Sequence, residues 1–129
     1  GTVPTGLPAL LRAYKIQGRA ARVGFDWPSV EGAWEKVYEE AAELKAAAAS
    51  GNHRAMEEEL GDILFAVVNV ARFLSVEPEL ALAATTAKFE ERFHYIEQQA
   101  TAQGHCLEEL SLEDMDALWE QAKTQEKLT

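Results

Sequence analysis

Two short stretches of the chain carry carboxylates at spacings that suit chemistry. The first holds Glu39, Glu40 and Glu43; the second holds Glu57, Glu58, Glu59 and Asp62. Residues three apart on a helix share a face, so Glu40 with Glu43, and Glu59 with Asp62, each form a claw of two carboxylates. Antiparallel helices joined by a tight turn at Gly51 would bring the claws together. Four converging carboxylates repel one another strongly unless a hard divalent cation sits between them. An all-oxygen ligand set favours Mg2+ or Mn2+ and leaves positions for water and phosphate oxygens.

A plainer reading competes, because runs of glutamate on helices commonly form solvated faces. At ~100° per residue, Glu40 lies roughly 70° from the centre of its helix's apolar stripe, Glu43 about 130° and Glu39 about 170°. Glu40 therefore flanks the core and Glu39 faces away from it. Asp62 opens the apolar run Ile63-Leu64-Phe65-Ala66-Val67-Val68, where a buried carboxylate needs a metal, a cation or hydrogen bonds. Spacing alone leaves both readings standing.

The elements that must position these groups are helices. Punctuation predicts a first helix over 6–23 ending at Gly24, and a second, capped by Ser29, running to Ser50 with Gly51 at its end. Asn52 caps a third reaching about Ser75, and Pro78 opens a fourth that Gly104 ends. Ser111 with Asp114 forms a capping box for a fifth, to about Glu126. In the second helix Val30, Ala33, Trp34, Val37, Ala41 and Leu44 make a single apolar stripe. The third is apolar all round: Leu60, Ile63, Leu64, Val67, Ala71 and Leu74 form one stripe, and Phe65, Ala66, Val68, Val70 and Phe73 fill the rest. Such a helix must be covered on more than one side, at the centre of a bundle or also of a dimer. The expected fold is all-α, an antiparallel bundle of about five helices forming one domain over residues 1–129.

Composition narrows the partners. The 129 residues are 47% hydrophobic and 26% charged, and 22 acids against 12 Lys and Arg give a net charge of −10. That field argues against nucleic-acid polymers and anionic membranes. A small anionic substrate requires metal ions or local basic residues to reverse the field. Cys106 is the only cysteine, so neither an internal disulfide nor a cysteine-based zinc site can form, which suits a reducing cytoplasm. No apolar run approaches the ~20 residues of a membrane span, and no signal-peptide pattern opens the chain.

Glu39-Glu40-Ala41-Ala42-Glu43, followed after fifteen residues by Glu59-Leu60-Gly61-Asp62, resembles the EExxE…ExxD signature of the MazG-type all-α nucleoside triphosphate pyrophosphohydrolases. Further pieces agree in order: Val23-Gly24-Phe25-Asp26-Trp27-Pro28, Asn69-Val70-Ala71-Arg72, Lys88-Phe89, Arg92-Phe93 and Met115-Asp116-Ala117-Leu118-Trp119. The resemblance runs along nearly the whole chain and is greatest to the C-terminal catalytic half of the longer MazG proteins. It implies Mg2+-dependent hydrolysis of nucleoside triphosphates to monophosphate and pyrophosphate by a homodimer, in house-cleaning or control of the nucleotide pool, with Mn2+ as a substitute metal.

Carried over residue by residue, the resemblance makes Glu40, Glu43, Glu59 and Asp62 metal ligands. It puts Lys88, Arg92, Trp119 and Lys123 where the family contacts the nucleotide, and gives Glu39 a catalytic-base or supporting role. Lys88 and Arg92, four apart, share a face and can grip phosphate oxygens or simply form surface pairs. Lys36 is a phosphate contact or, more simply, the i, i+4 partner of Glu40. Trp119 stacks on a base or packs in the core. Trp27 and Phe25 read as packing at a helix entry. Two departures bear on substrate range: Thr85-Thr86 stands where the family often has Thr-Asn, and Glu91-Arg92 where it has Arg-Arg.

Two other functions fit parts of the pattern. A di-iron carboxylate bundle needs two Glu-x-x-His pairs, and only Glu91 with His94 has that spacing. A non-catalytic helical dimerisation or regulatory module would keep its acidic face wet and would gain no stability from metal.

Overall fold

The computed structural model describes residues 2–128. The described residues form five α-helices and one 3₁₀ turn, with no strand: α1 (Ala9–Arg22), α2 (Val30–Ser50), α3 (His53–Phe73), α4 (Pro78–Ala102), the 3₁₀ turn (Leu107–Glu109) and α5 (Leu112–Leu128). The all-α expectation holds. The chain divides into two compact units, residues 1–81 and 82–129.

In the first unit α2 and α3 pack along their length and α1 packs on α3. Gly51 makes the α2–α3 hairpin possible: its φ of 73° is left-handed backbone that a Cβ would strain. Asn52 then caps α3, its Oδ1 accepting from the Ala55 N–H at 3.1 Å. Ala33 and Ala47 of α2 and Ala66, Val68 and Val70 of α3 are buried. The Trp27 ring lies over the first turn of α2, so close that a Cβ on Gly32 would stand 2.9 Å from it. Arg72 at the end of α3 ties the same loop down through both Asp26 oxygens. The packing expected of Trp27 at the helix entry is what the structure shows.

In the second unit Arg92 meets Glu126 and Tyr95 meets Gln121. Numbers rise along α4 as they fall along α5, so the two helices are antiparallel. Ile96, Ala100, Leu118 and Ala122 are buried. The capping box at α5 is formed: Ser111 Oγ accepts from the Asp114 N–H at 3.0 Å and Asp114 Oδ2 from the Ser111 N–H at 3.3 Å.

Several boundaries differ from expectation for local reasons. The first helix begins at Ala9 rather than residue 6, because Pro8 excludes Leu7 from helical backbone. Ser29 stands at the N-cap of α2 in extended backbone, yet makes no cap bond; its hydroxyl meets Glu31 instead and holds that carboxyl below its usual range. The third helix stops at Phe73, where Ser75 turns left-handed. There the Val76 N–H reaches back to the Ala71 carbonyl and the Ser75 N–H to Arg72, a Schellman closure.

Two expectations about α3 need revision. The apolar stripe of Leu60, Leu64, Val67 and Leu74 is left about half open; these residues are 49%, 47%, 45% and 56% exposed. What α3 buries is the other side, around Ala66 and Val70. Asp62, expected to be a buried carboxylate, is exposed, because the flank of α3 that carries it is open.

Candidate functional site

Within the first unit the carboxylates of α2 and α3 converge. One oxygen from each of Glu39, Glu40 and Glu43 lies within 4.8 Å of the others, and the same holds for Glu40, Glu59 and Asp62. Glu40 belongs to both groups and is only 4% exposed, so the deeply buried acid is Glu40 rather than Asp62. The hairpin at Gly51 sets this register, bringing the middle of α2 opposite the first half of α3. Glu39 is exposed, as its wheel position requires, but its side chain is long enough to swing an oxygen back to the cluster.

The electrostatics are unbalanced. Lys36 Nζ lies 3.0 Å from Glu40 Oε1 and 3.3 Å from Glu39 Oε1, one ammonium among five acids. Lys36 lowers the Glu40 pKa, against the desolvation that raises it, and the carboxylates raise that of Lys36. Glu59 goes the other way: burial first, then the neighbouring Glu43 and Glu40, push it up to about 7. Glu40 Oε2 and Glu59 Oε2 are buried and no N–H or hydroxyl among the described residues meets them. Buried oxygens without donors are costly. A hard cation with an all-oxygen shell fits them, and a solvated acidic face does not.

The residues expected to contact nucleotide, Lys36 apart, lie in the second unit. Arg92 is bound in bidentate fashion by Glu126, Nε to Oε1 at 2.9 Å and Nη2 to Oε2 at 3.0 Å. Its guanidinium stands 5.1 Å from the centroid of the Trp119 ring. Trp119, half-buried, also packs against Phe89 at 5.4 Å. Lys123 Nζ is 3.8 Å from Glu120, and Lys88 is exposed. Arg92 foremost, with the fields of Lys88 and Lys123, holds the Glu126 carboxyl below its usual range. Sequence spacing gave no sign of Glu126, since Arg92 is 34 residues away.

A cavity of about 410 Å3 in the first unit is walled by Phe25, Trp27 and Phe65, with Gln17, Asn69 and Arg72 as its polar lining. Gln17 is buried and its Nε2 donates to the Phe65 carbonyl at 2.9 Å. The Phe-Asp-Trp loop is thus a wall held by the Asp26–Arg72 pair.

Comparison with known proteins agrees with this arrangement. The MazG nucleotide pyrophosphohydrolase domain matches residues 29–96, which span the whole acidic cluster. The chain is 48% identical over 123 residues to the nucleoside triphosphate pyrophosphohydrolase/pyrophosphatase MazG of Thermotoga maritima, covering 95% of this chain and 47% of that protein. It is 45% identical over 126 residues to the nucleoside triphosphate pyrophosphohydrolase of Escherichia coli K12, covering 96% of this chain and 48% of that one. A 72-residue stretch is 56% identical to the protein YabN of Bacillus subtilis, covering 56% of this chain and 15% of YabN. The chain spans about half the length of the two pyrophosphohydrolases it matches. With the carboxylate geometry and a family match over more than half its residues, the chain belongs to the MazG nucleotide pyrophosphohydrolase domain family.

Proposed function

We propose that this chain hydrolyses nucleoside triphosphates to the monophosphate and pyrophosphate with the help of Mg2+, Mn2+ serving as a substitute. The observation that carries the reading is Glu40, buried and common to two carboxylate groups, with an oxygen that no donor among the described residues meets. Glu40, Glu43, Glu59 and Asp62 would hold the metal. When bound, such an ion neutralises phosphate charge and makes a water acidic enough to attack phosphorus.

The chain's own groups supply position and proton management, which carry most of phosphoryl-transfer catalysis. Glu39, exposed at the edge of the cluster, accepts the proton of the attacking water. The water oxygen bonds to phosphorus as the anhydride P–O bond breaks, and the electron pair leaves with the departing phosphate oxygen. Attack at either the α or the β phosphorus yields the same two products. Lys36 holds Glu40 ionised and offers a cation to phosphate at the same place. Arg92, Lys88 and Lys123 grip phosphate oxygens, and Trp119 stacks on the base.

The half-open stripe of α3 supports a homodimer, since Leu60, Leu64, Val67 and Leu74 form the long apolar face that a second copy would bury. Substrates are nucleoside triphosphates, in house-cleaning or pool control, rather than nucleic-acid polymers. An exposed free thiol at Cys106 suits a reducing cytoplasm; no helix among the described residues is long and apolar enough to cross a membrane. A screen of ribo- and deoxyribonucleoside triphosphates for pyrophosphate release, with Mg2+ and with EDTA, tests the reading. Metal-dependent release from at least one triphosphate is expected; none from any would overturn it.

A further inference from the structure

The charge of this chain is distributed unevenly. Residues 1–25 contain Arg12, Lys15, Arg19 and Arg22 and no acid, whereas the other 104 residues carry eight basic and 22 acidic ones. At ~100° per residue the four cations of α1 fall within about 80° of one another, along roughly 15 Å of helix. They form one stripe on one face.

Two clefts open on this stripe. One, of about 560 Å3, is lined by Tyr14, Lys15, Gly18, Arg19, Arg22 and Arg72 together with the Thr2–Pro4 segment. The other, of about 570 Å3, is lined by Arg12, Ile16 and Arg19 with the same segment and Thr5. No carboxylate lines either cleft. Among the described residues none of Arg12, Lys15, Arg19 and Arg22 is in an ion pair. Arg12 Nε and Arg72 Nε are buried without a hydrogen-bond partner. The Arg72 stem crosses α1 at Gly18, where a Cβ would stand 4.0 Å from its Cδ.

Four like charges on one helix face, with no acid to relieve them, destabilise the helix that carries them. In a chain of net charge −10, acids to pair with them are plentiful, yet among the described residues none forms an ion pair with them. Such an arrangement is relieved by an anion. A single carboxylate meets one of these cations at a time. A chain of phosphates carries charge at successive positions and meets several, and guanidinium forks match its oxygens. The cleft volumes fall in the range that small ligands fill, about 300–1,000 Å3. A nucleic-acid polymer would extend past the stripe onto a chain whose other 104 residues carry 22 acids.

We propose that the α1 face bearing Arg12, Lys15, Arg19 and Arg22 is an anion site, built from residues other than the acidic cluster, that takes phosphate chains. The ligand chemistry has two sources, an inorganic chain such as pyrophosphate or the triphosphate of a nucleotide. The site does not depend on the catalytic reading, because its cations need no metal to hold phosphate.

Titration calorimetry of the chain in EDTA tests it. The probes are pyrophosphate, tripolyphosphate and a nucleoside triphosphate with a non-hydrolysable α,β bridge. The wild type is expected to bind them saturably and more weakly as salt rises. Arg19→Ala with Arg22→Ala is expected to weaken binding by at least about tenfold, Lys15→Ala with Arg19→Ala likewise, and Lys45→Ala, at an exposed cation of α2 away from the stripe, to leave it unchanged. Circular dichroism checks that each variant is folded. Tripolyphosphate binding as tightly as the nucleotide identifies the phosphate chain alone as the ligand; a tighter nucleotide identifies the carried triphosphate. No binding by the wild type overturns the proposal, as does binding that both double variants retain or that Lys45→Ala abolishes. Self-association lost in the double variants, with no phosphate binding in the wild type, gives the stripe to a second copy's acids and overturns it too. Pyrophosphate release assayed separately with Mg2+ reports on catalysis, so the two readings fail independently.

Discussion

The Lys36 ammonium lies 3.0 Å from Glu40 Oε1, while Oε2 of the same carboxylate is buried with no donor among the described residues to meet it. Half of the carboxylate is satisfied by the chain and half is left for something else. Lys36 is therefore the group that lets the cluster persist without metal, and it stabilises most when metal is absent.

Replacing Lys36 by Met should lower the melting temperature of the metal-free chain by several degrees, because Glu40 would remain buried among carboxylates with its cation gone. Saturating Mg2+ should recover most of that loss through binding to the folded state. Paired melts of both chains, with Mg2+ and with EDTA, measure this. A deficit of equal size in both conditions would mean that the cluster does not take the ion.

Glu59 sets a pH dependence. Its folded pKa of about 7 stands above the ordinary 4.5, so its contribution to stability is full below about 4.5 and is lost as pH rises through about 7. Glu40, whose pKa is lowered by Lys36, contributes in the opposite sense, with stability present above the ordinary value and lost as pH falls. Between 4.5 and 7 the metal-free chain should lose stability on account of Glu59, and Glu59→Gln should flatten that slope. Thermal melts across the window decide the matter; an unchanged slope in the variant assigns it to other groups.

The Arg92 fork is held by Glu126 and stacked near Trp119. Arg92→Ala should raise the nucleotide KM about tenfold, as expected for loss of a charge-assisted contact. Its effect on folding should be small, since partly exposed ion pairs contribute about 0–1 kcal/mol. Steady-state kinetics with a denaturant titration separate the two. An unchanged KM with a large loss of stability would make Arg92 a packing residue only.

The open stripe of α3 gives a test of assembly. Leu64→Asp puts a charge in the middle of a face whose neighbours Leu60 and Val67 are nearly half-exposed in one chain. Light scattering should find the wild type at twice the chain mass and the variant at the mass of one chain. A wild type already at the single-chain mass would contradict the dimer.

The helices were legible because their ends are set by chemistry within three or four residues. Gly51 with Asn52, Pro78, and Ser111 with Asp114 each mark a boundary that the structure keeps. Glu40 at the core margin was legible from its wheel angle. The exposure of Asp62 was not, since it depends on which flank of α3 another element covers, and an all-apolar helix offers no polar side to orient it. The meeting of Arg92 with Glu126 needs α4 and α5 docked at a particular register, which no local spacing encodes. The basic stripe of α1 stood in plain view but was averaged away in a net charge dominated by the rest of the chain.

Binding of Mn2+ to the chain, followed by titration calorimetry in the wild type, Glu40→Gln and Asp62→Asn, tests the central claim most directly. The wild type should bind the ion saturably, and each variant should bind it at least about tenfold more weakly while remaining folded. Affinity that is unchanged in both variants, or no binding to the wild type, would contradict the metal centre.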